Sequence, residues 1–270
     1  MTDRLHILPD GHLVSWYGDD FTGATAVMEV LTFAGLPSVL FFDIPTQEQL
    51  QRFASCRGVG IAGVARSKSP NWMDANLRPI FDALGDLETP ICHYMICSTL
   101  DSAPHVGSVG RACEIAIPKL GGDWHPLLVA APAIGRYQVF GNLFADVAGT
   151  PYRLDRHPVM SCHPVTPMDE ADVCKHLSRQ TDIALGLVSI LDLAGSGAAA
   201  LGREQEAGRT IVAIDCLDND SLIEAGRLIW EHRENRIFAI GSQGVEYALV
   251  AYWRSVGLLE KANHPSHPGK

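Results

Sequence analysis

Eight short apolar runs recur along the chain: "LVSWYG", "PSVLFF", "GVGIAGVA", "ICHYMICS", "PLLVAAPA", "IALGLVSI", "TIVAIDCL" and "RIFAIGS". Each is continuous rather than alternating apolar and polar, the pattern of a strand covered on both faces. Amphipathic stretches separate them. Over residues 23–35, Val27, Val30, Leu31 and Ala34 fall at i, i+3, i+4 and i+7, one face of a helix that Gly35 would stop. Thr166, Pro167 and Asp169 read as N-cap, first position and first turn of a helix over 167–180. Residues 218–234 and 243–257 complete the helical series. This alternation predicts an α/β fold, a Rossmann-like, mostly parallel sheet with helices on both faces. The ligand crevice of such a sheet lies beyond the carboxyl ends of its strands, so chemistry is expected just after each run.

Residues 134–167 break the rhythm. They show no helical period, carry a hairpin signal at Gly141-Asn142, and are long for a plain connection. An irregular insertion is expected there, either functional in itself or a small subdomain. At the far end "NHPSHPGK" is polar and rich in proline, so 258–270 reads as a flexible tail after a domain spanning 1–257.

Charge narrows the function classes. The 270 residues carry 31 Asp+Glu against 21 Lys+Arg, a net charge of −10 with no basic block, which removes nucleic acid as an expected partner. An anionic metabolite stays compatible, held by a local arginine or by backbone N–H groups. No apolar stretch approaches the ~18 residues of a spanning helix. The opening "MTDRLHILPDGHL" is polar and interrupted by Pro9 and Gly11, so neither a membrane nor a signal peptide is expected. Seven scattered cysteines without a C-x-x-C pair suit reduced, mostly buried thiols in the cytoplasm.

The first run ends in Asp19-Asp20, followed by Thr22-Gly23-Ala24. A carboxylate at a helix N-terminus accepts backbone N–H bonds and gains from the helix dipole, but only one of two neighbours can cap. The other meets like-charge repulsion unless a cation or hydroxyl groups face it. The pair is therefore either a cap alone or an acceptor for a polyol, able to take a hydroxyl proton. Arg66 in "ARSKSP" offers a fork for a carboxylate, with a solvated loop arginine as the alternative. After the fourth run, "CSTLDSAPHVGSVGRA" crowds Ser98, Thr99, Asp101 and Ser102 into one turn, suited to holding hydroxyls or simply to capping. Arg136 follows the fifth run as another candidate carboxylate contact. Ser242 and Gly244, in "GSQGVEYAL", open the last helix as a phosphate contact or as a plain cap.

Several chemistries lack their residues. His157, Cys162 and His163 are close in sequence but without zinc-ligand spacing, and no H-E-x-x-H occurs, so no metal site is expected. Walker A, G-x-S-x-G and G-x-G-x-x-G patterns are absent too.

Taken in order, these segments resemble the four-carbon acid sugar kinases. The shared features are the Asp-Asp-x-Thr-Gly-Ala turn, Arg66, "CSTLDS…GSVGRA", the Pro132-x-x-Gly-Arg136 turn, "HPVMSCHPVTPMDEADVCKHLSRQT" over 157–181, and "GSQGVEYAL". They run from residue 16 to about 254. The resemblance implies ATP-dependent phosphorylation of the terminal hydroxyl of threonate, erythronate or an oxo form, with Mg2+ bridging the phosphates. It implies that Asp20 takes the hydroxyl proton, and that Asp19, Arg66, Cys97, Ser98 and Thr99 bind the acid. Asp101 and Arg136 join that set on their own chemistry. Ser242, with Gly244 beside it, is implied to contact nucleotide.

Two departures shape the expectation. Where the family often carries a lysine before the fourth-strand turn and Asp-Ser-x-x-Arg within it, this chain has Met95, Cys97-Ser98 and Asp101. Positive charge is lost and a carboxylate gained, which implies a different acid, branched or oxidised, or else a lost activity. The chain also stops at Lys270, soon after "GSQG". The nucleotide-binding half implied by the resemblance is then expected on a separate subunit or a longer form, and a face left bare invites homo-oligomers. Two other readings compete: a non-catalytic module for a small hydroxy acid, and a lyase or isomerase that uses Asp20 as base without ATP.

Overall fold

A computed structural model describes residues 7–260, so the 261–270 part of the expected tail lies outside the described residues. Leu258 and Leu259, at the start of that stretch, donate their N–H groups to the Trp253 carbonyl at 2.7 and 3.2 Å. The first strands are β1 (Val14–Gly18), β2 (Ser38–Phe41), β3 (Gly58–Ala62), β4 (Ile91–Met95) and β5 (His125–Leu128). Then come β6 (Arg136–Val139), β7 (Asn142–Val147), β8 (Thr150–Arg153), β9 (Leu185–Val188), β10 (Ile211–Ile214) and β11 (Ile237–Gly241). The helices are α1 (Phe21–Phe33), α2 (Gln47–Arg52), α3 (Pro70–Asp86), α4 (Val109–Leu120) and α5 (Val173–Ser178). The rest are α6 (Ile190–Gly195), α7 (Gly197–Glu206), α8 (Asn219–Glu231) and α9 (Gly244–Ser255).

Eight strands form one sheet in the order β2-β3-β1-β4-β11-β5-β10-β9, every pairing parallel. Each coincides with one of the eight apolar runs. The runs are continuous because both faces are covered, and successive residues supply two separate cores. Trp16 of β1 and Ile91 and Met95 of β4 pack with α1, α8 and α9 on one side. Tyr17, Cys92 and Tyr94 pack with α3 and α4 on the other. A polar pair lies inside the first core: His93 Nδ1 and Glu246 Oε1 are 2.7 Å apart, and both side chains are fully buried. His93 Nε2 donates to the Gly241 carbonyl at 3.1 Å, so the pair ties the first turn of α9 to β4 and β11.

β1 sits between β3 and β4, and the chain leaves it in one direction and returns in the other. The strand order therefore reverses beside β1, which opens a crevice at the carboxyl ends of these three strands. α1 begins and ends as its local residues dictate. Asp20 caps it through Gly23 N–H, and Gly35, at φ 93°, lets Leu36 N–H return to the Leu31 carbonyl at 2.9 Å.

The helix expected over 167–180 is shorter. α5 starts at Val173, and its cap is Asp172 rather than Thr166. The preceding residues commit their backbone to tertiary bonds instead. Met168 N–H bonds the Met160 carbonyl at 2.9 Å, and Leu143 N–H bonds the Ala171 carbonyl at 2.8 Å. These long-range bonds override local start signals that carry only weak preferences.

The irregular insertion is a small antiparallel sheet, β6-β7-β8, followed by single 3₁₀ turns. Its first hairpin turns through Phe140 and Gly141, at φ 51° and 74°, one residue before the sequence signal. Asp215, fully buried after β10, anchors that turn by accepting the N–H groups of Phe140 and Gly141, together with that of Ile190 at the start of α6.

Candidate functional site

The sharp turn from β1 into α1 sends two carboxylates in different directions. Asp20 Oδ1 accepts the Gly23 N–H at 2.7 Å and caps α1, while Oδ2 accepts Arg66 Nη1 at 2.7 Å. Asp19 is 2% exposed and takes Arg66 as a fork, Nη2 to Oδ1 at 2.5 Å and Nε to Oδ2 at 3.2 Å. One guanidinium from a 3₁₀ turn after β3 thus answers the repulsion between adjacent carboxylates. Backbone bonds hold the geometry: Arg66 N–H reaches the Asp19 carbonyl and Asp19 N–H the Met95 carbonyl, both at 3.0 Å.

Burial pushes the Asp19 carboxyl up to about 6, against the pull of Arg66, with Asp20 and Asp101 adding to the rise. Burial acts to lower the Arg66 guanidinium, yet Asp19 and Asp20 hold it above its ordinary value. Arg66 is therefore a fixed cation, and Asp19 is a carboxylate poised near neutrality.

The turn after β4 completes the wall. The Thr99 hydroxyl donates to Asp101 Oδ1 at 2.8 Å and lies 3.0 Å from Cys97 Sγ. Burial, with Asp101 nearby, pushes the Cys97 thiol up to about 11, so it stays a neutral thiol. Asp101 lines the cleft, whereas Cys97, Ser98 and Thr99 do not. Ser102 belongs to a different network, with His176 Nε2 at 2.9 Å and Gln180 Nε2 donating to it at 2.9 Å. Met95 faces the α1 side, and a side chain at Gly23 would collide with its sulfur.

Asp19, Asp20, Arg66 and Asp101 share one cleft of about 320 Å³, at the strand ends where the order reverses. Sequence reasoning misses several of its other residues as site candidates: Phe21, Val64, His163, Val165 and Thr166. The last three come from the segment beyond the small sheet. In the sequence "CHPVTP" is read as a rejected zinc spacing, a helix start and part of the resemblance, and its His-Pro-Val, repeated from 157–159, is the available signal for a site.

Two sets of candidates fall elsewhere. Arg136, on β6, does not line the cleft; its Nη1 donates to the carbonyls of Ile134 and Gly135, both at 3.2 Å. Ser242 is fully buried, its hydroxyl donating to the Val129 carbonyl at 2.8 Å and accepting Gly244 N–H at 3.0 Å. Gly244 packs so closely that a Cβ there would lie 1.9 Å from the Ala130 carbonyl oxygen. Among the described residues, no group of three or more His, Cys, Asp or Glu side chains is placed to hold a metal ion. No helix among them is long and apolar enough to cross a membrane. The seven cysteines are all unpaired, with Cys162 exposed and Cys92, Cys113 and Cys216 buried.

Comparison with known proteins bears on this geometry. Residues 14–249 match a family described as a sugar-binding N-terminal domain. A 3-oxo-isoapionate kinase of Paraburkholderia graminis is 50% identical over 252 residues, covering 93% of this chain and 54% of the relative. A 3-oxo-tetronate kinase of Pseudomonas fluorescens is 27% identical, covering 95% of this chain and 58% of the relative. A crystal structure from Salmonella typhimurium LT2 superposes with a TM-score of 0.80 at 24% identity, covering 91% of this chain and 56% of that one. The chain spans about half the length of the curated relatives it matches.

Proposed function

We propose, from the premise that this chain belongs to the sugar-binding N-terminal domains of the four-carbon acid sugar kinase family, that it binds and orients an oxidised, branched sugar acid for phosphorylation. The observation that carries this reading is the cleft at the strand-order reversal, where Asp19 and Asp20 pair with Arg66 and Asp101 lines the same wall. Carboxylates accept hydrogen bonds from several hydroxyls at once, and a carboxylate beside the attacking hydroxyl can take its proton. Asp20 is assigned that proton, because it is 30% exposed in the cleft while Asp19 is buried. Asp101 stands where the wider family carries a different pattern, which favours an acid other than threonate. The half-identical relative acts on 3-oxo-isoapionate by its name, and that compound is the first candidate.

ATP supplies the phosphoryl group in this reading, and the two described residues offered for it, Ser242 and Gly244, are committed to packing and hydrogen bonds within the fold. The Ser242 hydroxyl points inward to the Val129 carbonyl, and Gly244 packs against the Ala130 carbonyl oxygen. The phosphoryl donor is assigned to the length of the relatives that this chain does not span. Work for this chain is positioning: holding the acid and presenting one hydroxyl beside a base.

Calorimetric titration of the chain with 3-oxo-isoapionate, threonate and erythronate tests the reading. Binding of at least one acid is expected, and Asp20→Asn should abolish it. Folding should survive, because Asn caps a helix about as well as Asp. A folded chain that binds none of them, or an Asp20→Asn variant that binds as well as the unmodified chain, overturns the proposal.

A further inference from the structure

The cleft holds three carboxylates and one guanidinium, so an anionic ligand needs donors that the protein has not already spent. Arg66 commits three of its five N–H groups to Asp19 and Asp20. The Ser67 hydroxyl donates to the Val64 carbonyl at 3.1 Å. Phe21, Val64 and Val165 offer no polar side-chain atom.

His163 is different. Its Nδ1 accepts the Thr166 backbone N–H at 3.1 Å, and the Thr166 hydroxyl lies 3.0 Å from the same atom. A nitrogen that accepts an N–H carries no proton, so the neutral ring bears its proton on Nε2. Nε2 makes no hydrogen bond within the described residues, and the half-buried ring lines the cleft beside the carboxylates. Thr166, 4% exposed, holds the ring in that tautomer.

We infer that His163 is a substrate-binding residue whose Nε2–H donates to the carboxylate of the sugar acid, at the end of the cleft supplied by the segment after β8. Thr166 is its positioning residue. The assignment rests on the proposed function and deepens it: the strand-end carboxylates read the hydroxyls, while His163, with the two remaining Arg66 N–H groups, reads the acid. It also gives the small sheet a purpose, since its outgoing chain delivers the donor.

The test is calorimetric titration of the full chain with 3-oxo-isoapionate and threonate, using His163→Leu, His163→Gln, His163→Asn and Asp20→Asn. A hydrogen bond to a charged group is worth enough to change affinity about tenfold or more. His163→Leu should therefore weaken the acid about tenfold or more. His163→Gln, whose amide N–H reaches the Nε2 position, should stay within about threefold of the unmodified chain, and the shorter Asn should not. Nitrogen-15 NMR should show His163 protonated at Nε2, with that signal moving when acid is added. Thr166→Val should raise the population of the other tautomer, and Thr166→Ser should restore the original.

An unchanged affinity in His163→Leu, with Asp20→Asn losing the ligand, overturns the assignment and leaves the sugar-acid reading standing. Equal losses in Leu and Gln would mean that the ring packs rather than donates, which also overturns it. An unmodified, folded chain that binds neither of these acids nor erythronate overturns the proposed function and this inference together. An Nδ1-protonated ring in the free protein removes the donor outright.

Discussion

Asp19 and Asp20 are neighbours in the chain with different chemistry, and the difference comes from what surrounds each. Asp20 divides its oxygens between a helix N-terminus and Arg66, at the edge of solvent. Asp19 faces the same guanidinium from inside, where burial raises its carboxyl to about 6. The sign of the resulting pH dependence follows from linkage. A carboxyl that binds its proton more tightly in the folded chain stabilises folding most below the ordinary carboxylate range, and that contribution is lost as pH rises through about 6. Ligand binding runs the other way, because only the ionised carboxylate accepts hydroxyl protons with both oxygens. Affinity for the acid is expected to climb between about pH 5 and pH 7, in step with Asp19 ionisation. Asp19→Asn should flatten that climb; calorimetry at several pH values would show the same slope in both proteins if Asp19 plays no part.

Helices in this protein owe their positions to close approach as much as to local signals. α8 and α9 pack side by side, and at Gly226 a Cβ would stand 2.0 Å from the Ala248 carbonyl oxygen. That oxygen is backbone and cannot swing aside. Gly226→Ala, although better for an isolated helix, should force the helices apart and cost about 1–3 kcal/mol. Urea denaturation measures it, and a stability equal to or above that of the unmodified chain would show that the pair has slack. α5 shows the complementary case. The residues before it, 167–172, carry helix-start signals, yet the backbone there is spent on Met160 and Leu143, so the helix waits for Asp172.

Across the whole molecule, the small sheet meets the chain leaving β10 in two ways. Gln138 and Cys216 exchange backbone N–H bonds, both at 2.9 Å, and Asp215 beside them acts through its side chain. Its carboxylate collects backbone N–H groups from the β6–β7 turn and from α6, and Gln138 Nε2 adds a bond at 3.2 Å. Losing an acceptor for buried N–H groups costs about 1–3 kcal/mol for each group left unpaired. Asp215→Ala should therefore speed amide hydrogen exchange at Phe140, Gly141 and Ile190 while β1, β4 and β11 keep their protection. Asp215→Asn, which retains one acceptor oxygen, should show a milder form of the same pattern. Unchanged exchange at those three amides would mean that the hairpin is held by other contacts. The chain beyond β8, downstream of this junction, supplies His163, Val165 and Thr166 to the cleft.

By itself the sequence determined the eight strands, their burial on both faces, the paired aspartates at the first turn, and the family resemblance. These are local properties: an apolar run of six residues, a cap beside a helical period, and a motif of adjacent residues are all written within a few positions. Tertiary structure alone decided what those residues meet. Arg66 lies 47 positions from Asp19 and 46 from Asp20, and only the parallel pairing of β3 with β1 brings the three together. The same packing turned the Ser242 hydroxyl inward, kept Arg136 out of the cleft, and carried His163 into it from an irregular segment with no period to read. A side chain's neighbours depend on backbone bonds made far away in sequence, and those long-range bonds are what a linear pattern does not contain.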